Sequence, residues 1–325
     1  MKKIALLLAK IIFSLGIIVV LLLKIDLDQL YRTIINMEYR YFLLSFLISL
    51  LGLYLATLRW QILLKKFTIA IPFIELFRFI CLSFFYNFFI PGGFAGDIIR
   101  GYKCKKYYIS STYGIASVFI DRLIGLVSFI LFGIFGILFT LGVLKQTNML
   151  TPFIIVLAIS LFLLFILFNR KIISCFKVLS NVHSILYKKL KQLYNCIYFY
   201  KSYKSILVTA LIVSLFASFF NILVFYLLSV STGGVVTFIN FIFFIPIITI
   251  ISYLPISYSG LGIREAGFVL LFSQIGMSRE QALAIPLMYF GLLFLLAIVG
   301  GMIYIFTINL NVAKVEGATD SRRQG

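Results

Sequence analysis

Charge is scarce in this chain: Asp, Glu, Lys and Arg make up 12% of its 325 residues, about half the share usual in soluble domains. With 62% hydrophobic residues and a mean hydropathy of +1.12, the sequence cannot clothe a globule in water-compatible surface, which excludes a soluble enzyme or binding module. Histidine occurs once, at His183, and Cys81, Cys104, Cys175 and Cys196 show no paired spacing. Neither a zinc site nor a disulfide framework is supported, so no metal and no cofactor is expected. A phosphate-binding ATPase loop is also missing, so ATP hydrolysis by this chain is not expected. Nor is there a polar stretch of the roughly 50 residues that a separate soluble domain needs.

What the chain has instead is long apolar runs, which predict an all-α polytopic membrane protein forming one integral domain over residues 1–325. Candidate full spans are 4–23, 41–58, 123–144, 152–168, 206–230 and 283–308, each near the ~20 residues that cross ~30 Å of hydrocarbon. The runs 76–90 and 238–254 are shorter, and each leads straight into a cluster of Pro, Gly and charge. Both are read as re-entrant helices, giving about six full spans plus two re-entrant helices among eight hydrophobic segments. The first run, Met1 to Leu23, has the lysine start of a signal peptide but no small-residue cleavage site after it, which favours an uncleaved span.

The basic residues lie mostly between apolar runs, and their distribution tests this topology. With the two short runs not crossing, the segments on the inner side carry +16 of the total +19 and those on the outer side +1. Both termini are then cytoplasmic, in the cytoplasmic membrane. Two extra crossings would instead put 170–204, with eight basic residues and no acidic one, outside. That segment mixes lysines with Ile173, Phe176, Ile185 and Leu190 in a basic amphipathic pattern suited to the anionic inner leaflet. Nucleic acid is not expected as a partner, because it would leave the apolar face uncovered.

The two clusters share a template of Pro, four residues, Gly, three residues, Arg: Pro91, Gly96 and Arg100, then Pro255, Gly260 and Arg264. A shift of 164 residues lays 41–144 over 205–308 with span, broken run, cluster and long span in register. The leading spans point in opposite directions, so the expectation is an inverted repeat with two broken helices meeting near the bilayer midplane.

In the first cluster Pro91 stops the helix and Gly92 and Gly93 permit the turn. Backbone amides freed near Gly96 and Asp97 can face an anion, Arg100 adds a phosphate-matching fork, and Asp97 can hold that arginine or cap the new helix. The other reading of Arg100 is snorkelling to the headgroups. The second cluster offers Ser257, Ser259, Gly260, Gly262, Arg264 and Glu265; there self-neutralisation of Arg264 by Glu265, or by Asp97 across the interface, is the simplest alternative. Asp121 and Arg122 form a third charged pair directly before an apolar span, read either as lining the same cavity or as a helix-start cap. Asn87 is a candidate buried amide, and Asn221 a helix–helix hydrogen bond.

The stretches Asn87 to Tyr102, Ser117 to Leu126, Pro255 to Gly267 and Gly276 to Ala282, with Gly300 and Gly301, resemble the transmembrane region of the lysylphosphatidylglycerol synthases, also described as flippase-like domain proteins. In the full-length synthases the resemblance implies that this part moves an aminoacylated phospholipid between leaflets, while a cytosolic C-terminal domain transfers the lysyl group. That domain is expected to be absent from a chain that stops at Gly325, so no catalytic residue is named. The expected function is translocation of an anionic or aminoacylated phospholipid, or of a polyprenyl-linked lipid. Alternatives are a phosphatidylglycerol lysyltransferase-type membrane enzyme and an accessory subunit of an envelope-lipid enzyme. Expected partners are lipids with phosphate headgroups, and a lipid-modifying enzyme or glycosyltransferase.

Overall fold

The computed structural model describes residues 2–65, 71–90, 95–107, 109–147, 198–253 and 260–321, with scattered positions between 158 and 196; side chains at 2–11, 138–147 and 304–321 are not among what is described. Among the described residues the secondary structure is helical throughout. The first half contains α1 (Lys2–Leu22), α2 (Leu27–Ile35), α3 (Tyr39–Leu64), α4 (Phe73–Phe89), α5 (Ala95–Lys103) and α6 (Ser111–Thr147). The second contains α7 (Lys204–Ser231), α8 (Phe238–Tyr253), α9 (Ile263–Phe272) and α10 (Arg279–Ser321).

Among the residues whose side chains are described, four stretches are long and apolar enough to cross a membrane: Tyr39–Leu64, Ser111–Ile137, Lys204–Ser231 and Arg279–Ile303. They match the expected spans 41–58, 123–144, 206–230 and 283–308, while the expected span 152–168 and most of the basic segment 170–204 lie outside the described residues. Two boundaries differ from the sequence reading in ways that matter. Helix α3 continues to Leu64 and so carries Arg59, which hydropathy had assigned to a loop. Helix α6 starts at Ser111, where the Ser110 hydroxyl accepts from the Tyr113 amide, so Asp121 and Arg122 sit well inside the helix. The helix-start reading of that pair is thereby removed.

Helices α4 and α8 have 17 and 16 residues, ~26 and ~24 Å of rise, short of the ~30 Å hydrocarbon thickness. Each is followed by a break and a helix that folds back on it. Along α5, contacts with α4 run backwards: Gly96 lies against the backbone of Ser83, and Lys103 stands 5.8 Å over the Phe79 ring. Along α9 the same happens, with Gly267 against Ile248, then Phe272 against the rings of Phe244 and Phe241 at 5.3 and 4.6 Å. Both short runs thus form antiparallel helical hairpins. Backbone proximity in the first hairpin requires Gly96, since a Cβ there would overlap the Ser83 carbonyl.

The hairpins are gripped by the opposite half. Helix α4 packs along α10, α8 along α6, and the leading helices α3 and α7 along each other. At one crossing a Cβ on Gly136 of α6 would come within 2.9 Å of the Phe243 backbone in α8. At the other, Gly300 of α10 lies against the Cys81 carbonyl of α4. Small residues let helix backbones approach where lipid offers no hydrophobic drive to hold them together. The apolar core around these crossings is built from aromatic and branched side chains of α6 to α10, with Phe241, Phe243, Phe268 and Phe272 fully buried. Amphipathic α2, capped by Asp26, closes one end by inserting Leu30 into that core.

Gly96→Ala and Gly300→Ala are expected to lower the thermal unfolding temperature of the detergent-purified chain, in line with the ~1–3 kcal/mol typical of overpacking. Gly291→Ala, where a Cβ meets nothing within 4 Å, is expected to leave it unchanged or raise it. Equal behaviour of the three variants would refute the close approach.

Candidate functional site

Between the two halves lies a cavity of about 520 Å³ walled by residues of α3 to α10. Most of its lining is apolar, yet four arginines reach it: Arg59, Arg100, Arg122 and Arg264. A charge inside an apolar helical bundle costs several kcal/mol unless it finds a partner, so the arrangement of carboxylates decides what each arginine can do.

Asp121 is 2% exposed and accepts from two of them: Arg59 Nε at 2.6 Å on Oδ1 and Arg100 Nη2 at 3.0 Å on Oδ2. Asp97 also serves two, taking Arg100 Nε at 3.1 Å on Oδ1, and Arg122 Nε and Nη2 at 3.0 and 2.6 Å on Oδ2. The result is an unbroken row, Arg59, Asp121, Arg100, Asp97, Arg122, in which charges alternate in sign and two long helices and a hairpin arm are tied together. Arg100, at its middle, is 4% exposed and lies 4.8 Å over the Trp60 ring, whose indole nitrogen is fixed by Ser117 at 3.0 Å. Snorkelling to the headgroups is therefore not what this arginine does.

From Arg59 the polar path continues through Nη1 to the Ser214 hydroxyl at 2.8 Å, on to Ser128 at 3.0 Å and to Ser218 at 2.6 Å. One turn further along α7, Asn221 donates to the Tyr289 hydroxyl at 3.2 Å, which is the helix–helix bond expected of that asparagine. Over the Tyr289 ring, at 5.2 Å, stands Arg264, whose Nε and Nη2 both reach Glu265 Oε1, at 3.3 and 3.1 Å. Self-neutralisation by Glu265, and not by Asp97, is thus the arrangement in the second half. The other oxygen of Glu265 caps α9 by accepting from the Gly262 amide at 2.6 Å, where φ of +83° favours glycine.

The structure brings most of the sequence-expected residues to one place. Asn87, Asp97, Arg100, Asp121, Arg122, Gly260 and Arg264 line the cavity, while Gly96, Gly262 and Glu265 stand behind it as backbone supports and partner. Pro91, Gly92, Gly93, Pro255, Ser257 and Ser259 lie outside the described residues. The Gly96 amide, expected to face an anion, donates instead to Asn87 Oδ1 at 2.8 Å. Among the four arginines, Arg122 is the accessible one, 37% exposed and 5.8 Å over the Tyr253 ring, and Arg264 follows at 12%.

Arg59, Trp60, Tyr253 and Tyr289 were not anticipated. The sign of Arg59 was present nonetheless: Ser49, Gly52, Ala56 and Arg59 recur at three- and four-residue spacing and all face the cavity. A stripe of small residues ending in a charge marks a polar face that average hydropathy conceals.

A family model described as the lysylphosphatidylglycerol synthase TM region matches residues 7–301. The chain belongs to that family. It is also similar to a UPF0104 membrane protein of Methanocaldococcus jannaschii, 23% identical over 94% of this chain and 96% of that protein. With the apolar helices, this makes it an integral membrane protein.

Asp121 is the most buried charge of the row and the one carboxylate on Arg59 among the described residues, so Asp121→Asn is expected to be strongly destabilising. A broken buried pair typically costs ~3–5 kcal/mol, and loss of monodisperse protein on size-exclusion chromatography is the expected readout. Arg122→Ala leaves Asp97 still bonded to Arg100 and is expected to remain folded. An Asp121→Asn protein as heat-stable as the parent would contradict the network.

Proposed function

We propose that this chain is a flippase-like lipid translocase. The headgroup phosphate of a phospholipid or polyprenyl-linked lipid enters the cavity between the halves while the acyl chains stay in the surrounding lipid. The observation that carries the reading is the meeting of Arg122 and Arg264, one from each half, in a single cavity whose remaining walls are largely apolar. Charge-assisted, forked hydrogen bonds from arginine suit phosphate better than any other headgroup element.

The pairing of helices supports a two-half mechanism. Under the 164-residue shift the contact of α4 with α10 exchanges with that of α8 with α6, and that of α3 with α7 maps onto itself. Gly136 and Gly300, which sit at the α6–α8 and α10–α4 contacts, are themselves 164 residues apart. In this reading 41–144 and 205–308 are inverted repeats, and access alternates as they exchange conformations. The excess of basic residues in the segments read as inner supports a cytoplasmic position for both termini, in the cytoplasmic membrane. A lipid-modifying enzyme or glycosyltransferase would supply the cargo.

The test is leaflet exchange in liposomes reconstituted with the full chain and carrying fluorescent phosphatidylglycerol, read by protection from a membrane-impermeant quencher. Arg122→Ala and Arg264→Ala are each expected to slow exchange roughly tenfold or more, the scale of one lost charged hydrogen bond. Exchange at the rate of protein-free liposomes by the parent chain, or at the parent rate by both variants, would defeat the reading.

A further inference from the structure

The cavity contains more cations than anions, and by a countable amount. Its charged groups and their immediate partners are Arg59, Arg100, Arg122 and Arg264 against Asp97, Asp121 and Glu265, an excess of one positive charge. Residues 91–94 and 254–259, which follow α4 and α8 in the sequence, contain no Asp, Glu, Lys, Arg or His and add nothing to this count. No lysine or histidine lines the cavity among the described residues, and arginine keeps its proton at every physiological pH.

The excess also has a location. In the alternating row Arg100 is held by both Asp121 and Asp97, and of the two end arginines, Arg59 and Arg122, the second is the more accessible. A ligand bearing one negative charge closes the row and leaves the cluster neutral. A second negative charge on the same phosphate would find no free cation, and in a cavity with mostly apolar walls an uncompensated charge is costly.

We propose that the cavity selects a phosphate carrying a single negative charge, a phosphodiester, and discriminates against phosphomonoesters and diphosphates. The lipid nature of the ligand rests on the translocase reading; the charge selectivity does not. Among the substrates open to that reading, this favours diester-linked phospholipid headgroups over lipid-linked diphosphates.

A phosphomonoester changes from about one negative charge to about two as pH rises through ~6, whereas a phosphodiester stays singly charged. Purified full-length chain is incubated with chain-matched phosphatidylglycerol and phosphatidic acid at about pH 5 and about pH 8, and bound lipid is quantified by native mass spectrometry. Phosphatidylglycerol binding is expected to change little between the two conditions. Phosphatidic acid is expected to match it at the lower pH and to fall roughly tenfold below it at the higher. Phosphatidic acid binding as well as phosphatidylglycerol at the higher pH would overturn the proposal.

The reciprocal test adds a cation. Asn221→Lys, on the α7 wall of the cavity, is expected to abolish the preference by raising phosphatidic acid binding at the higher pH to the phosphatidylglycerol level. Thr249→Lys on the α8 wall serves the same purpose where the first variant does not fold. A preference unchanged in a folded variant would refute the charge count. The two claims fail separately: leaflet exchange by the parent chain at the rate of protein-free liposomes defeats the translocase reading and leaves the selectivity standing, whereas equal phosphatidic acid binding at the higher pH defeats the selectivity alone.

Discussion

Asp121 and Asp97 each hold two arginines, and the architecture follows from the need to do so. In an apolar bundle an arginine cannot be left to water, and a carboxylate cannot be left without donors. The economical arrangement is a row in which every inner charge is shared by two neighbours of opposite sign. Asp121, on α6, binds α3 through Arg59 and the hairpin arm α5 through Arg100; Asp97, on α5, returns the link to α6 through Arg122. The electrostatics thus fix where the hairpin arm lies against the long helix.

Backbone packing and the charge row reinforce one another. Asp97 and Arg100 can reach α6 only if α5 folds back tightly on α4, and Gly96 makes that possible by allowing contact with the Ser83 backbone. Gly101 and Gly114 meet in the same way where α5 crosses the start of α6. The second half uses a shorter device. Glu265 both caps α9 at Gly262 and holds Arg264, so one side chain does locally what Asn87, Asp97 and Asp121 share in the first half. The halves share helix order and packing partners but not the distribution of charge, and the excess positive charge belongs to the row in the first.

Much of this was legible in the sequence because the clusters combine residues that lipid tolerates badly. Proline, adjacent glycines and arginine within a few positions have no cheap placement in a continuous span, and their recurrence at one spacing pointed to both hairpins and to Asp97, Arg100 and Arg264. Arg59 and the true start of α6 were less legible for a single reason. Hydropathy averages a window, so a charge near the end of an apolar run is read as the start of a loop. In fact the helix continues, and the charge faces a partner from another helix 62 residues away. Partner identity is a tertiary fact: nothing local to Arg264 distinguishes Glu265 from Asp97 as its acceptor.

The unequal exposure of the arginines separates holding a structure from holding a ligand. Arg100 has a carboxylate on two sides and an indole on its face, and a phosphate could reach it only by displacing Asp97 or Asp121, which would strand Arg122 or Arg59 in turn. Arg122 has both of its bonds to a single oxygen, Asp97 Oδ2, and the rest of its guanidinium is turned toward the cavity and the Tyr253 ring. It can therefore take a phosphate oxygen without releasing Asp97. Arg264 stands in the same relation to Glu265 Oε1 and Tyr289. An arginine buttressed by a carboxylate on one edge and an aromatic ring on its face is already desolvated and oriented before a ligand arrives, so less of the binding free energy is lost to ordering it. Under the proposed translocation, binding at the ends of the charge clusters would leave their centres intact, and headgroups would come and go without dismantling the contacts that keep the hairpin in place.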